Sequence, residues 1–246
     1  MSLPKSISAW FLLLAGILLL VIAISGDHSQ YATILNLNEG SDLSWGPGLF
    51  RTLLLLHGIV LLTAVVFRPK FEDSNRDTKQ HALPALRLSR NEILFLFALR
   101  IPNLNSHLWV DEVLTLVDFV RAPWGEVISR FPSQNQHMLY TLLAKLSASV
   151  FGESAWAVRL PAVIFGVGSI VALYLLGRKL LGVRAAALGS LLMTFSYHHV
   201  WFSQNARGYT GLLFFSILAT WIWLEATEKD SWTFWIAYSV SVALGM

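Results

Sequence analysis

The sequence predicts an all-α fold: a polytopic transmembrane helix bundle of about seven spans, with short interfacial helices in its first large outer loop. Three observations predict it. Of 246 residues, 55% are hydrophobic and only 13% charged, and mean hydropathy is +0.57. Apolar runs long enough to cross a ~30 Å hydrocarbon core recur along the chain. Lys and Arg gather in the segments between these runs rather than within them. Ten Trp and fifteen Phe suit bilayer interfaces and interhelical packing. The net charge of +3 is dispersed, which is not a nucleic-acid signal. With no cysteine, the chain has neither a disulfide framework nor thiolate chemistry.

Residues 7–24 form an uncharged run after Lys5. A cleaved signal peptide would compete, with Ala23-Ile24-Ser25 as the small-residue site, but its apolar region is usually only about 7–15 residues. The run is therefore read as an anchor. A second span, 49–67, is interrupted by Arg51 and His57; residues 1–67 thus form an extra N-terminal transmembrane hairpin. Residues 68–90 carry Arg68, Lys70, Arg76, Lys79, Arg87 and Arg90 and read as a cytoplasmic linker. A weak span follows at 88–104, placing Arg100 near the outer surface. After an outer loop, 105–154, come spans at 156–177, 185–202, 208–224 and 231–246, the chain ending inside the last. With a cytoplasmic N-terminus the inner segments hold eleven Lys and Arg and the outer ones Arg121, Arg130, Lys145 and Arg207, while Arg51, Arg100 and Arg159 fall at outer membrane edges. That bias puts the loop 105–154 outside.

Within this loop Trp124, Val127, Ile128 and Phe131 fall at helical spacing, with Pro123 as a first helical residue. Leu139, Leu142, Leu143 and Leu146 repeat the spacing, with Lys145 opposite. Each run is too short to span and reads as an interfacial helix, or as part of a small helical cap. The pair Asp111–Glu112 has two readings. Asp before V-L-T-L is a good N-cap, and Glu in a first turn favours the helix dipole. A carboxylate where a span meets water can also accept a proton from a hydroxyl that attacks carbon. Asp111, His107 and His137 match no metal-ligand spacing, so no metal site is expected, although a divalent ion is left open. Arg159 and Arg207 each begin a span at the outer face. They either snorkel and pair with carboxylates, or offer a guanidinium fork to phosphate. Between Ser203 and Tyr209 several donors share one short outer turn; His198 and His199, just before it, read as interface residues.

Four pieces in order then resemble the membrane-embedded GT-C glycosyltransferases, in particular the dolichyl-phosphate-mannose protein mannosyltransferase-like and lipid A aminoarabinose transferase-like group. They are L-W-V-D-E (108–112), N-Q-H-M-L-Y-T-L-L-A-K-L (135–146), F-G-E-S-A-W-A-V-R-L-P-A-V-I-F-G-V-G-S-I (151–170) and W-F-S-Q-N-A-R-G-Y (201–209). The resemblance implies a GT-C-like region over 91–246 and an inverting transferase. Its donor is a sugar on a polyprenyl phosphate, and its acceptor a lipid, glycan or protein reached from the outer side. Beyond that donor no cofactor is implied. The partners are the donor, the acceptor and membrane lipids, with no nucleic acid. The implied location is a bacterial inner membrane, with the active loop on the periplasmic side. Asp111 takes the place of the family's catalytic Asp, with Glu112 as its acidic neighbour. His137, Arg159, Gln204, Arg207 and Tyr209 are the expected substrate-binding residues.

The sequence departs from the family in the added hairpin of residues 1–67 and at three further points. Met138-Leu139 replaces a Pro-Pro pair, Asn205 stands where an acidic residue is common, and family members continue through further spans, so the chain is expected to be C-terminally truncated. Two other classes compete. A transporter or lipid flippase would place its charges near mid-bilayer, whereas here they cluster at span edges. A non-catalytic membrane assembly protein needs none of these side chains.

Overall fold

The computed structural model describes residues 7–34, 46–66, 90–131, 133 and 136–245. Its chain divides into two compact units, Met1–Arg87 with Ala187–Tyr197, and Leu88–Ala186 with His198–Met246.

In the first unit α1 (Ile7–Ser25) packs along α3 (Gly46–Val66). The close approach depends on Gly58: a Cβ there would lie 2.6 Å from the Leu20 side chain and 3.0 Å from the Gly16 carbonyl. The chain then turns by 118° into α2 (His28–Ile34). Asp27 fixes this turn. Its carboxylate accepts the Gln30 N–H at 2.8 Å, and the Gln30 amide oxygen accepts the Asp27 N–H at 3.1 Å, a reciprocal cap. At the end of α1 side chains add donors: the Tyr31 hydroxyl bonds the Ile22 carbonyl, which also takes the Gly26 N–H at 3.0 Å, and Arg51 Nε bonds the Ala23 carbonyl at 2.8 Å. The expected linker, 68–90, lies outside the described residues apart from Arg90, which opens α4.

The second unit holds α4 (Arg90–Ala98), α5 (Val110–Leu114), a π-helical segment (Thr115–Val120), α6 (Trp124–Ser129), α7 (Met138–Phe151), α8 (Ala155–Leu181), α11 (Tyr209–Lys229) and α12 (Trp232–Gly245). Between α8 and α11 run α9 (Val183–Thr194) and α10 (Tyr197–Ser203). The helix α4 closes with a tight turn, Arg100 N–H to Phe97 carbonyl at 2.8 Å. It cannot continue, because Pro102 disfavours helical backbone at the residue before it and Asn103 takes a positive φ of 59°.

Helices α8 and α11 run parallel. At their N-terminal ends the Thr210 hydroxyl donates to the Ala162 carbonyl at 2.9 Å. At their C-terminal ends Lys179 pairs with Glu225 at 2.9 Å and with Glu228 at 2.5 Å. Pro161 inside α8 cannot donate to the Ala157 carbonyl. The Ser147 hydroxyl of α7 takes its place at 2.6 Å, and the Tyr140 hydroxyl bonds the Val158 carbonyl at 2.7 Å. The interruption in α8 is thus used to dock α7. Around this joint Leu116, Val120, Tyr140, Ala144, Val158, Ala162 and Ala206 form the apolar core.

The described residues are helical throughout their regular structure. Three helices, α3, α8 and α11, are long and apolar enough to cross a membrane, and a fourth if α1 and α2 form one bent span. Among the described residues seven is not reached by length. The segments expected to span at 88–104, 185–202 and 231–246 become the nine-residue α4, the separate α9 and α10, and the fourteen-residue α12. Both short loop helices are present. The first begins at Trp124, with Pro123 just outside it rather than at its first position.

Candidate functional site

The site is built where α5, the start of α8 and the turn between α10 and α11 meet. From Arg100 to Trp109 the backbone is non-helical, and its carbonyls need partners. Two side chains supply them. Arg159 Nη1 donates to the Leu104 and Ser106 carbonyls at 2.9 and 3.0 Å, and Nη2 to the His107 carbonyl at 3.0 Å. The Gln204 amide donates to the Arg100 and Pro102 carbonyls at 3.0 and 2.7 Å.

Glu112 is the hub. It is 0% exposed and accepts four hydrogen bonds. Oε1 takes Arg159 Nε at 2.8 Å and the Ala206 N–H at 2.5 Å; Oε2 takes Arg159 Nη2 at 2.7 Å and the Trp109 N–H at 2.9 Å. A buried carboxylate persists in this form only when paired and fully bonded, and the fork-to-fork geometry with Arg159 meets both conditions. The consequence is positional. Glu112 precedes the π-helical segment and holds the residue before Arg207, so its neighbours Asp111 and Arg207 are brought face to face. Asp111 Oδ2 lies 2.9 Å from Arg207 Nη1. The Asp111 side chain is 64% exposed and that of Arg207 only 8%. Arg207 also stands over the Tyr209 ring, 5.2 Å from its centre, immediately before the N-terminus of α11. Rings surround the pair: Trp109 meets Trp201, Trp201 meets Phe202, Phe202 meets Tyr209, and Tyr209 meets His137. Gly208 is required at this joint, since a Cβ there would lie 2.7 Å from the His137 side chain. Burial first, and then the charge of Arg207, hold His137 below the usual histidine pKa, so it is neutral at pH 7.

Of the expected site residues, the structure brings Asp111, Arg207, Tyr209 and His137 together and gives others different work. Asp111 is not the helix cap: Trp109 is, and Asp111 lies in the first turn. Arg159 does not offer its fork outward, because Nε, Nη1 and Nη2 all reach protein acceptors and the residue is 2% exposed. Gln204 spends its amide N–H groups on the irregular loop. Arg100, expected near the outer membrane surface, is fully buried within the protein, bonding the Leu96 carbonyl at 2.8 Å and His199 Nδ1 at 2.8 Å; His199 in turn reaches Ser169 at 2.8 Å. Among the described residues no three His, Asp or Glu side chains are grouped as metal ligands. Sequence reasoning missed the Ala206 N–H and the Glu112–Arg159 pair, whose partners are 47 residues apart with no local pattern to join them.

Residues 135–246 match the family described as dolichyl-phosphate-mannose-protein mannosyltransferase. Over 100 residues, 41% of this chain, the sequence is 33% identical to YkcB of Bacillus subtilis (strain 168), a protein whose name assigns it provisionally to the mannosyltransferases. The aligned part is about 14% of that relative's length. No solved structure matches the chain. The motif resemblance and the family match agree: through residues 135–246 this chain is similar to the GT-C mannosyltransferase-like family.

Proposed function

We propose that the protein takes part in glycosyl transfer from a polyprenyl-phosphate-linked sugar to a hydroxyl acceptor, with inversion. The observation that carries this is the facing pair: an exposed carboxylate, Asp111, against a nearly buried guanidinium, Arg207, at the N-terminus of α11. A guanidinium at a helix N-terminus favours a phosphate. In a single displacement the acceptor oxygen attacks the anomeric carbon from the face opposite the phosphate. The carbon–oxygen bond to phosphate breaks, its electron pair stays on the phosphate oxygen near Arg207, and the acceptor proton passes to Asp111. The donor's phosphate takes Arg207 from Asp111 and frees the carboxylate as base. Glu112, buried and saturated with hydrogen bonds, acts as a positioning residue rather than a reacting one. The surrounding rings suit a substrate that is part sugar and part lipid.

Arg207→Ala is expected to weaken binding of farnesyl phosphate mannose at least tenfold, with Arg207→Lys in between, because Lys keeps the charge but not the fork. Titration of the purified protein in detergent measures it. Equal binding by wild type and Arg207→Ala would remove Arg207 from the phosphate site.

The reading also requires the loop 105–154 on the outer side of a bacterial inner membrane and the linker 68–90 inside. The chain has no cysteine, so single cysteines at Ser133 and Ser74 can be labelled in intact cells by an impermeant reagent. Ser133 is expected to react and Ser74 to be protected; the reverse pattern would invert the topology.

A further inference from the structure

Among the described residues seven buried side-chain nitrogen and oxygen atoms have no hydrogen-bond partner in the protein. Six of them belong to five residues at one joint, where the N-terminal end of α7 meets the turn before α11: Gln136 Oε1, His137 Nε2, Thr141 Oγ1, Asn205 Oδ1, and Arg207 Nε and Nη1. Arg207 Nη1 has its ion pair with Asp111 but no hydrogen-bond geometry to it. Buried polar atoms are nearly always satisfied, because leaving one unmet costs its full desolvation. Six such atoms at one joint are costly unless something else meets them.

Their chemistry says what that is. Gln136 is fixed in orientation, since its amide nitrogen donates to the Val127 carbonyl at 2.9 Å, so Oε1 can only accept. Asn205 Oδ1 accepts as well, Thr141 both donates and accepts, and the Arg207 nitrogens donate. An ionised phosphate only accepts, so it satisfies Arg207 and leaves the two amide oxygens unmet. A ring of hydroxyl groups both donates and accepts and fits the whole set. The Tyr209 ring lies against both His137 and Arg207 and is itself 40% exposed, so it forms the solvent side of this joint.

Resting on the phosphate reading of Arg207, we infer that Gln136, His137, Thr141 and Asn205 form the subsite for the donor's sugar hydroxyls, next to the phosphate held by Arg207. Thr141→Val and Asn205→Leu keep side-chain volume and remove these polar atoms. Both are expected to lower affinity for farnesyl phosphate mannose about tenfold and leave sugar-free farnesyl phosphate unaffected. Their Tm is expected to equal or exceed that of wild type, since an unmet buried polar group is gone. A merely structural role would lower Tm and spare the difference between the two ligands. Wild-type binding of both ligands by both variants would overturn the subsite and leave the atoms to ordered water; equal weakening of both ligands would assign the cluster to phosphate and overturn it too. If Arg207→Ala leaves both ligands unaffected, the phosphate reading itself falls, whatever the other two variants do.

Discussion

Asp111→Asn is expected to reduce sugar transfer by about 10²–10⁴-fold while strengthening the hold on the donor's phosphate. An amide cannot take the acceptor's proton. It also cannot neutralise Arg207, which in the native pair lies 2.9 Å from the carboxylate. With that competitor removed, farnesyl phosphate has a buried cation to itself. It should therefore raise the Tm of Asp111→Asn by more than it raises that of wild type. Helix capping does not blur the comparison, because Trp109 rather than Asp111 stands at the cap. Transfer of mannose from farnesyl phosphate mannose at the wild-type rate by a folded Asp111→Asn protein would end its assignment as base.

The largest effect on stability is expected at Glu112. Glu112→Gln removes one member of a fully buried ion pair and leaves the Arg159 charge without its counter-charge. Breaking such a pair costs about 3–5 kcal/mol. The glutamine keeps only one acceptor oxygen, so one of the Ala206 and Trp109 N–H groups loses its partner and meets an NH2 group instead. Thermal unfolding in detergent should show a large drop in Tm. Replacing both members together, Glu112→Leu with Arg159→Met, should recover part of the loss, because no lone charge then remains buried. A Glu112→Gln protein that melts with wild type would deny the hub its role.

Much of the site was legible because its parts are local. Asp111 and Arg207 stand in short motifs at span edges, and the two loop helices announce themselves by apolar spacing. What the motifs could not reveal is pairing across the chain. For Arg159 the sequence leaves a carboxylate partner and a phosphate both open until Glu112 is seen to hold it, and Gln204 looks like a ligand donor until it meets the carbonyls of Arg100 and Pro102. The helix start was misjudged for a related reason. Glu112 accepts the Trp109 N–H, so α5 begins before Asp111 without any Asp or Ser cap. Span count suffered from the opposite difficulty: hydropathy registers apolar residues at 185–202 but not the break between α9 and α10.

The irregular segment before α5 has a bearing on how the protein is made. Its carbonyls wait for donors that lie far downstream: Arg159 is 52 to 55 residues beyond those it holds, and Gln204 is 102 to 104 beyond. During synthesis the segment therefore emerges long before anything can fix its shape. Lipid cannot solvate bare peptide groups, so until then it must stay with water or with the insertion machinery. Asp111, the proposed base, arrives early in translation, but it meets Arg207 only once the turn before α11 has been built.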